Sequence, residues 1–597
     1  MRQRYIARLA GRSSNDAGAA AFRDRLDGRA DLDQRCEWPG VIVASTRAML
    51  PLGGGNGVIL GTLFERPSAA AIDGLTPIRQ ARILDSRGME LIENGWGPYV
   101  ALIGSQAPLQ VDVIRAPMGD LPCHVFETEA AVFIASDIGL LAELAGYRPS
   151  IAWDEVIRLL AHPDIHRPAT CLTGVADLPG GDRLTIEGSG VEGHQGKNSR
   201  LRRETLWFPW TFAQEQAQIR SLTEAAALLH DTALECLNAR AAEYEAVLLT
   251  LSGGLDSSLV AACLAQQKTP FQGLNLVTHD PNGDERRHAA RVSAVLGMPL
   301  TTAMRDVSKI DVHHSAARHL PRPSVRCFFQ ESLRLARATA KQVGAGAIFN
   351  GSGGDNVFCS LQSGAPAADR LLAEGVGQGF LQSAYAMSEF AQASIWEVMR
   401  DAVQRAWLGK PAFRIRPDLQ FLSPEAHALA ADMPLHPWLT PPKGIPPGKA
   451  MHVRLVAVAR SYVESLDPLS ALPVVAPLLS QPLVEVCLRI PSWLWFEGGH
   501  NRLVARKAFT DILPHDILLR RSKGTPDSFI VEIMEVHGKA IRAMLVDGEL
   551  ARRGLIDLPA VLQDLDAPGP RRDKSFERIL HLVDVEAWAR GHLVSGL

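Results

Sequence analysis

The chain has 597 residues, with 62 Lys or Arg against 65 Asp or Glu, for a formal net charge of -3. That near-balance excludes a general nucleic-acid binder, which carries a clear basic excess. The length calls for two or more domains, each with a full core. Eight cysteines (36, 123, 171, 236, 263, 327, 359 and 487) are scattered without a Cys-x-x-Cys pattern, which argues against structural zinc or a disulfide framework and for a reducing, cytoplasmic setting.

Taken in order, the chain begins at Met1–Ala7 with no long apolar run behind it, and no stretch reaches the length of a membrane span. Neither a secretory signal nor a membrane partner is expected. Residues 1–210 read as mostly β. Val41–Ala44, Gly57–Leu60, Tyr99–Ile103, Leu109–Ile114 and Ala131–Ala135 are short apolar or alternating runs separated by Gly, Pro and Asp. Gly53–Gly57 has the composition of a nucleotide loop, but it precedes a strand, so a hairpin turn is expected. Helices are predicted near Ile138–Ala145 and Trp153–Ala161. Residues 211–222 form a connection into a long helix, Leu222–Arg240.

The stretch that follows organises the rest. Val247–Thr250 is an apolar run short enough for a buried strand. Leu251-Ser252-Gly253-Gly254-Leu255-Asp256-Ser257-Ser258 then leads into a helical pattern through Val260 and Leu264. Two glycines let a backbone approach a ligand closely. A helix N-terminus offers unpaired N–H groups and partial positive charge, which suit phosphate. Ser252, Ser257 and Ser258 add hydroxyl donors. Asp256 repels phosphate, so its expected task is to hold Mg²⁺. A capped surface turn would explain Ser-Gly-Gly alone; the whole string behind a buried strand is far more specific. It is not a Walker A loop.

Strands at Phe271–Val277, Leu300–Ala303 and Ala347–Asn350 alternate with helices from Asp284 to Leu296 and over Phe329–Val343. This β-α alternation predicts a doubly wound parallel sheet, with ligands at the carboxyl ends of its strands. A second glycine-rich turn, Asn350-Gly351-Ser352-Gly353-Gly354-Asp355-Asn356-Val357-Phe358, lies at such an end. Asp355 is therefore a second candidate Mg²⁺ ligand, facing Asp256.

Helical pieces are expected over 366–407. The Pro-rich segment 434–447 reads as an extended loop, suited to covering a site, contacting a peptide or merely connecting. Lys449 and His452 are expected on a solvated face, at the start of a helix over Val453–Leu466. Arg520-Arg521-Ser522-Lys523 is a basic cluster, and Phe576–Trp588 an amphipathic piece. His313-His314 has no partner at metal-ligand spacing, and neither a Gly-x-Ser-x-Gly elbow nor a His-Glu-x-x-His pair occurs.

The 252–258 string resembles the pyrophosphate loop of the N-type ATP pyrophosphatases, which split ATP between the α and β phosphates. Asn350–Phe358 resembles the "ser-gly-glu-gly-ala-asp-glu-leu-phe" motif of asparagine synthetase. Gly351, Gly353, Asp355 and Phe358 match; Ser352 stands where that family has a Glu tied to amide formation, and Asn356 replaces its second acidic residue. Pro477–Glu485 and Asn501–Phe509 resemble two further helical segments of the family. The order Ile512–Ile517 then Arg520-Arg521-x-Lys523 matches its lysine at the reacting centre.

Residues 1–210 resemble the glutaminase-like domain of class II amidotransferases in the order of Ile92–Tyr99, Phe133–Asp137, Val175–Asp182 and Leu206–Trp210. Such glutaminases use an N-terminal Cys as nucleophile. Here residue 2 is Arg and the first cysteine is Cys36, so no glutamine hydrolysis is expected. The Gly353–Phe358 form resembles the lasso-peptide macrolactam synthetases, relatives without a working glutaminase.

The resemblance implies an α/β chain: a degenerate glutaminase-like, NTN-type α+β sandwich over 1–210 and an ATP-pyrophosphatase domain with a doubly wound parallel sheet over 211–597. It implies ATP and Mg²⁺, with Ser252, Gly253, Gly254, Ser257 and Ser258 on pyrophosphate and Asp256 and Asp355 on metal. Leu251, Val277 and Gly351 would line the adenosine site, Lys523 would stabilise the intermediate, and Ser352 would stand at the amide-forming position. The implied reaction is ATP-dependent amide formation on a peptide or amino-acid-like carboxylate carrying its own amine. A leader-peptide-binding protein and a protease are possible partners. Asparagine synthesis from ammonia, β-lactam formation and a nucleotide-binding scaffold are the alternatives.

Overall fold

The computed structural model describes residues 2–10, 17–106, 109–187, 201–431, 433–521, 527–567 and 575–595. Its N-terminal part holds two six-stranded antiparallel sheets. One runs Val175–Asp177, His124–Glu127, Ala131–Ala135, Tyr5–Ala10, Val41–Ser45, Gln34–Trp38; the other runs Leu201–Thr205, Asp182–Glu187, Leu109–Arg115, Tyr99–Gln106, Gly57–Gly61, Leu50–Pro51.

Strand periodicity explains the layering. Tyr5, Ala7, Leu9, Val41 and Val43 of the first sheet meet Val58, Leu60, Val100 and Leu102 of the second in one apolar core. The alternate residues Ile6, Ile42, Ala44 and Phe133 face outward onto Phe22, Ile138 and Val156. Those belong to helices Ala17–Asp27, Ile138–Ala145 and Trp153–Ala161. Ile59, Ala101 and Ile103 face the other way, onto Ile83 and Leu91 of helices Pro77–Asp85 and Met89–Asn94. The result is four layers, α-β-β-α. The Gly53–Gly55 turn joins Leu50–Pro51 to Gly57–Gly61 as an antiparallel hairpin, as expected.

The C-terminal part is built on five parallel strands: β1 (Val247–Thr250), β2 (Phe271–Val277), β3 (Leu300–Met304), β4 (Ala347–Phe349) and β5 (Val474–Val475), in the order β3-β2-β1-β4-β5. Helix α1 (Leu222–Ala241) leads in, N-capped by the Ser221 hydroxyl. Helix α2 (Leu255–Leu264) follows β1, α3 (Arg286–Leu296) follows β2, and α4 (Phe329–Gln342) precedes β4. Three helices fill the 366–407 region: α5 (Ala365–Glu374), α6 (Gln378–Ala391) and α7 (Ile395–Trp407). Among the described residues, no helix is long and apolar enough to cross a membrane.

The two parts are tied together near the start of the chain. The Arg2 guanidinium donates to the Asp120 carboxylate at 2.8 Å and to the Val474 carbonyl of β5 at 2.6 Å. Arg240 of α1 reaches the same carboxylate at 3.4 Å. The cavity beside this cluster measures about 20 Å³, the space of about one water.

One helix departs from expectation. α8 spans Pro447–Glu464, so it begins six residues before the predicted Val453, with proline in its first turn. Lys449 and His452, expected on a solvated face, are buried. The reason is that backbone carbonyls satisfy them. The Lys449 ammonium donates to the carbonyls of Leu488 and Ile490, and His452 Nε2 lies 2.8 Å from the Val357 carbonyl. The Pro-rich segment also holds more order than a loop: Pro437–Leu439 form a 3-10 turn that buries Trp438.

Burial pushes His166 down to about 4 and His452 down to about 3. The unfolded chain binds a proton at each near pH 6.5, where the folded chain does not. Stability from this source is therefore present above pH 6.5 and lost as pH falls towards 4. Asp369, pushed up by burial to about 6, acts in the opposite sense between pH 6 and 3.8, as do the raised Asp584 and Glu243, but burial also pushes His592 down to about 4 and His581 well down. Thermal unfolding followed from pH 7.5 to 4.5 is expected to show a net loss of a few kcal/mol, on the order of one to two pKa units of linkage. A flat profile would contradict it.

Candidate active site

The site forms because two strand ends present glycine-rich turns to each other. β1 ends at Thr250, and the loop 251–254 folds on itself before α2 begins. Ser252 Oγ accepts from Gly254 N at 3.2 Å and lies 3.1 Å from Ser257 Oγ. Gly253 has φ +73, and a Cβ there would fall 2.5 Å from Ala289 N. No side chain caps α2, whose N-cap is Gly254, so its first N–H groups remain suited to an anion.

β4 supplies the facing turn. Ser352 N donates to Asn350 Oδ1 at 3.0 Å, and Asn350 Nδ2 donates to Tyr462 Oη at 3.0 Å. A Cβ on Gly351 would meet Ser257 N at 2.5 Å, and one on Gly354 would meet Asp256 Cγ at 2.4 Å. At Gly351 the facing loop's backbone, and at Gly354 the Asp256 side chain, occupies the place a Cβ would take.

Asp256, in the first turn of α2, and Asp355 share one partner. Arg502 Nη1 lies 2.9 Å from Asp256 Oδ1 and 2.7 Å from Asp355 Oδ1. Arg502 itself adopts a left-handed backbone, φ +57, a strained conformation of the kind that clusters at functional sites. An all-oxygen pair of carboxylates gathered around one cation suits a hard divalent ion such as Mg²⁺, once the guanidinium moves to another partner.

Between the loops lies a cleft of about 320 Å³. Leu251, Ser252, Gly254, Asp256, Ser257, Gly351 and Ser352 line it, together with Asn275, Asn350, Arg502, Arg520 and Arg521. Three guanidiniums beside one aspartate give the cleft the charge a polyphosphate requires. Arg520 is braced by Glu285 at 2.8 Å and by the Gly253 carbonyl at 3.2 Å.

The structure therefore gathers most of the residues expected from sequence. Gly253, Ser258 and Val277 are not among the lining residues. Gly253 packs towards α3, while Ser258 and Val277 are buried, the Ser258 hydroxyl without a partner in the described structure. Asp355 stands beside the wall, joined to it through Arg502. Lys523 lies outside the described residues. Among those described, no group of three or more His, Cys, Asp or Glu forms a metal cluster.

Sequence reasoning missed Arg502 and Asn275. Arg502 stands in the Asn501–Phe509 segment, where nothing in the sequence sets it apart from Arg506 and Lys507. Asn275 is a polar residue inside an apolar strand; its Nδ2 donates to the Leu251 carbonyl at 2.8 Å.

A parallel sheet that offers two facing aspartate-bearing turns to an arginine-lined cleft defines an enzyme of the nucleotide-dependent α/β class. Residues 229–590 match the asparagine synthase family model, and the chain belongs to that family. No curated protein matches the chain. Solved structures similar to it include glutamine phosphoribosylpyrophosphate amidotransferase from B. subtilis complexed with ADP and GMP, at 8% identity and TM-score 0.21, over 51% of this chain and 66% of that one. The allosteric regulatory enzyme of purine biosynthesis is similar at 8% identity and TM-score 0.22, over 50% of this chain and 80% of that one. The chain thus spans just under two thirds of the first of these.

Proposed function

We propose that this member of the asparagine synthase family is an ATP-dependent amide ligase and that it closes an amide within one peptide, forming a macrolactam in the manner of a lasso-peptide cyclase. A side-chain carboxylate of the peptide attacks the α-phosphorus of ATP and pyrophosphate leaves. The peptide's own amine then attacks the acyl carbon, loses a proton, and AMP leaves. A tethered amine gains effective concentration, so no separate ammonia supply is required.

The observation that carries this reading is the pair of facing aspartate turns with Ser352, not a carboxylate, at the amide-forming position. Asp256 and Asp355 would hold Mg²⁺, which screens charge between phosphate oxygens when bound. The 252–258 loop, Arg502 and Arg520 receive the pyrophosphate. Lys523 is assigned to charge on the intermediate.

The N-terminal sandwich has no assigned hydrolytic task in this scheme. Two observations support that. Arg2 is spent on the Asp120 and Val474 bonds. Cys36 lies half-buried on the strand Gln34–Trp38, with its thiol pushed up by burial, away from thiolate reactivity. A leader-peptide-binding protein and a protease are the proposed partners, to deliver and trim the substrate.

The test is mass spectrometry of short peptides encoded beside this gene, each co-expressed with the full-length protein. Loss of one water from a peptide, dependent on this protein, is the expected result. Asparagine formed from aspartate, ATP and ammonia, with every peptide unaltered, would overturn the proposal.

A further inference from the structure

A second groove, of about 390 Å³, lies away from the nucleotide cleft. Its apolar wall includes Phe413, Ile415, Leu435, Leu439 and Ile445. Arg405 and Lys410 stand on its rim; both pair with the single Asp401 carboxylate, at 2.8 and 2.5 Å, so the rim carries two cations to one anion. The wall is built, not incidental. Arg405 Nη1 donates to the carbonyls of Pro411, at 3.1 Å, and Ala412, at 2.6 Å. Over residues 413–420 half-buried and exposed residues alternate, and Arg454 lies over the Phe413 ring at 5.8 Å. Leu435 is left 43% exposed, an apolar surface that lacks a partner within the fold.

One helix joins this groove to the reaction cleft. Pro447 and Ala450, at the start of α8, line the groove. Tyr462, near its end, bonds to Asn350 of the cleft. Between them Met451, Arg454, Leu455, Val458 and Tyr462 share one helix face, and all five are half-buried. Ala450 and Tyr462 are about 18 Å apart along the axis, at 1.5 Å per residue. An extended peptide covers that distance in about five or six residues.

We propose that the groove binds the substrate peptide: an extended segment with apolar side chains and at least one carboxylate, about five or six residues from the carboxyl that is activated. This rests on the peptide-ligase reading above. The apolar wall takes the side chains, and the Arg405–Lys410 rim, two cations against the one Asp401 carboxylate, takes the negative charge. The α8 face spans the distance between the groove and the reaction cleft.

The probe is a displayed pool of peptides with Gly first, one Glu, and random residues elsewhere, selected on the full-length protein with ATP and Mg²⁺. Selected peptides are expected to carry apolar residues about five or six positions from the Glu. Leu435→Glu should weaken their binding about tenfold or more while leaving ATP affinity unchanged. Ile415→Glu should act in the same direction, and agreement of the two guards against a folding defect in one. Selected peptides that bind both variants as well as the native chain, or that lack an apolar preference, would overturn the groove. So would protection of residues 411–415 from hydrogen exchange that grows with protein concentration in the absence of peptide, because the occupant would then be a second copy. If peptides bind and trigger pyrophosphate release but ignore both variants, the groove alone fails. If none binds or triggers release, the peptide-ligase reading fails with it.

Discussion

Asp256→Asn is expected to lower pyrophosphate formation by about 10²–10³-fold, the range seen when one group aimed at transition-state charge is removed. The substitution keeps shape and removes charge. Asp256 is 9% exposed, within the first turn of α2, and its carboxylate is held by Arg502 from 2.9 Å. Its loss leaves one carboxylate instead of two at the shared position. The defect should fall on kcat and on the Mg²⁺ dependence, with little change in thermal stability. Asp355→Asn should act in the same direction but more weakly, since that side chain is 40% exposed and water can replace part of what it supplies. An Asp256→Asn enzyme with unaltered rate and Mg²⁺ dependence would remove the metal role from this residue.

Gly351→Ala is the second large effect. The added Cβ would sit 2.5 Å from Ser257 N and 2.8 Å from Asp256 C. These are backbone atoms, so no rotamer change relieves the clash, and the two loops must separate. Overpacking of this kind costs about 1–3 kcal/mol. Here the strain is placed on the contact that holds Asp256 opposite Asp355. ATP binding, measured by calorimetry, is expected to weaken by about tenfold or more. Gly54→Ala is the control. Its φ is +69, a strain that Gly351 does not share, but its Cβ would come no nearer than 3.4 Å to any atom, in a hairpin of the N-terminal sandwich. It should leave ATP affinity unchanged. Equal effects from both substitutions would show that loop contact does not govern the nucleotide site.

The strand-turn-helix at 247–264 was readable because an apolar run, two glycines and a helical period follow one another with no gap. The same logic exposed β2, β3 and β4. β5 escaped because it is two residues long, follows β4 by more than a hundred residues, and pairs on one side only. The N-terminal strand Tyr5–Ala10 escaped because Arg8 interrupts its apolar pattern, although Arg8 is itself buried. Lys449 and His452 misled because polarity in sequence suggests solvent, whereas carbonyls at the ends of neighbouring elements can satisfy an ammonium or an imidazole. Both metal-candidate aspartates were legible as single acidic residues in glycine-rich turns. Arg502 was not, because its bridging position depends on a fold that returns residue 502 to two loops some 150 and 250 residues earlier.

The most direct measurement is the identity of the nucleotide product. ATP labelled at the α-phosphate is incubated with full-length protein, Mg²⁺ and a substrate-competent peptide pool. AMP and pyrophosphate in equal amounts, both lost in Asp256→Asn, are the predicted products of a cleft that exposes the α-phosphorus between two aspartate turns. ADP and orthophosphate, or AMP formed at the same rate without Asp256, would contradict it.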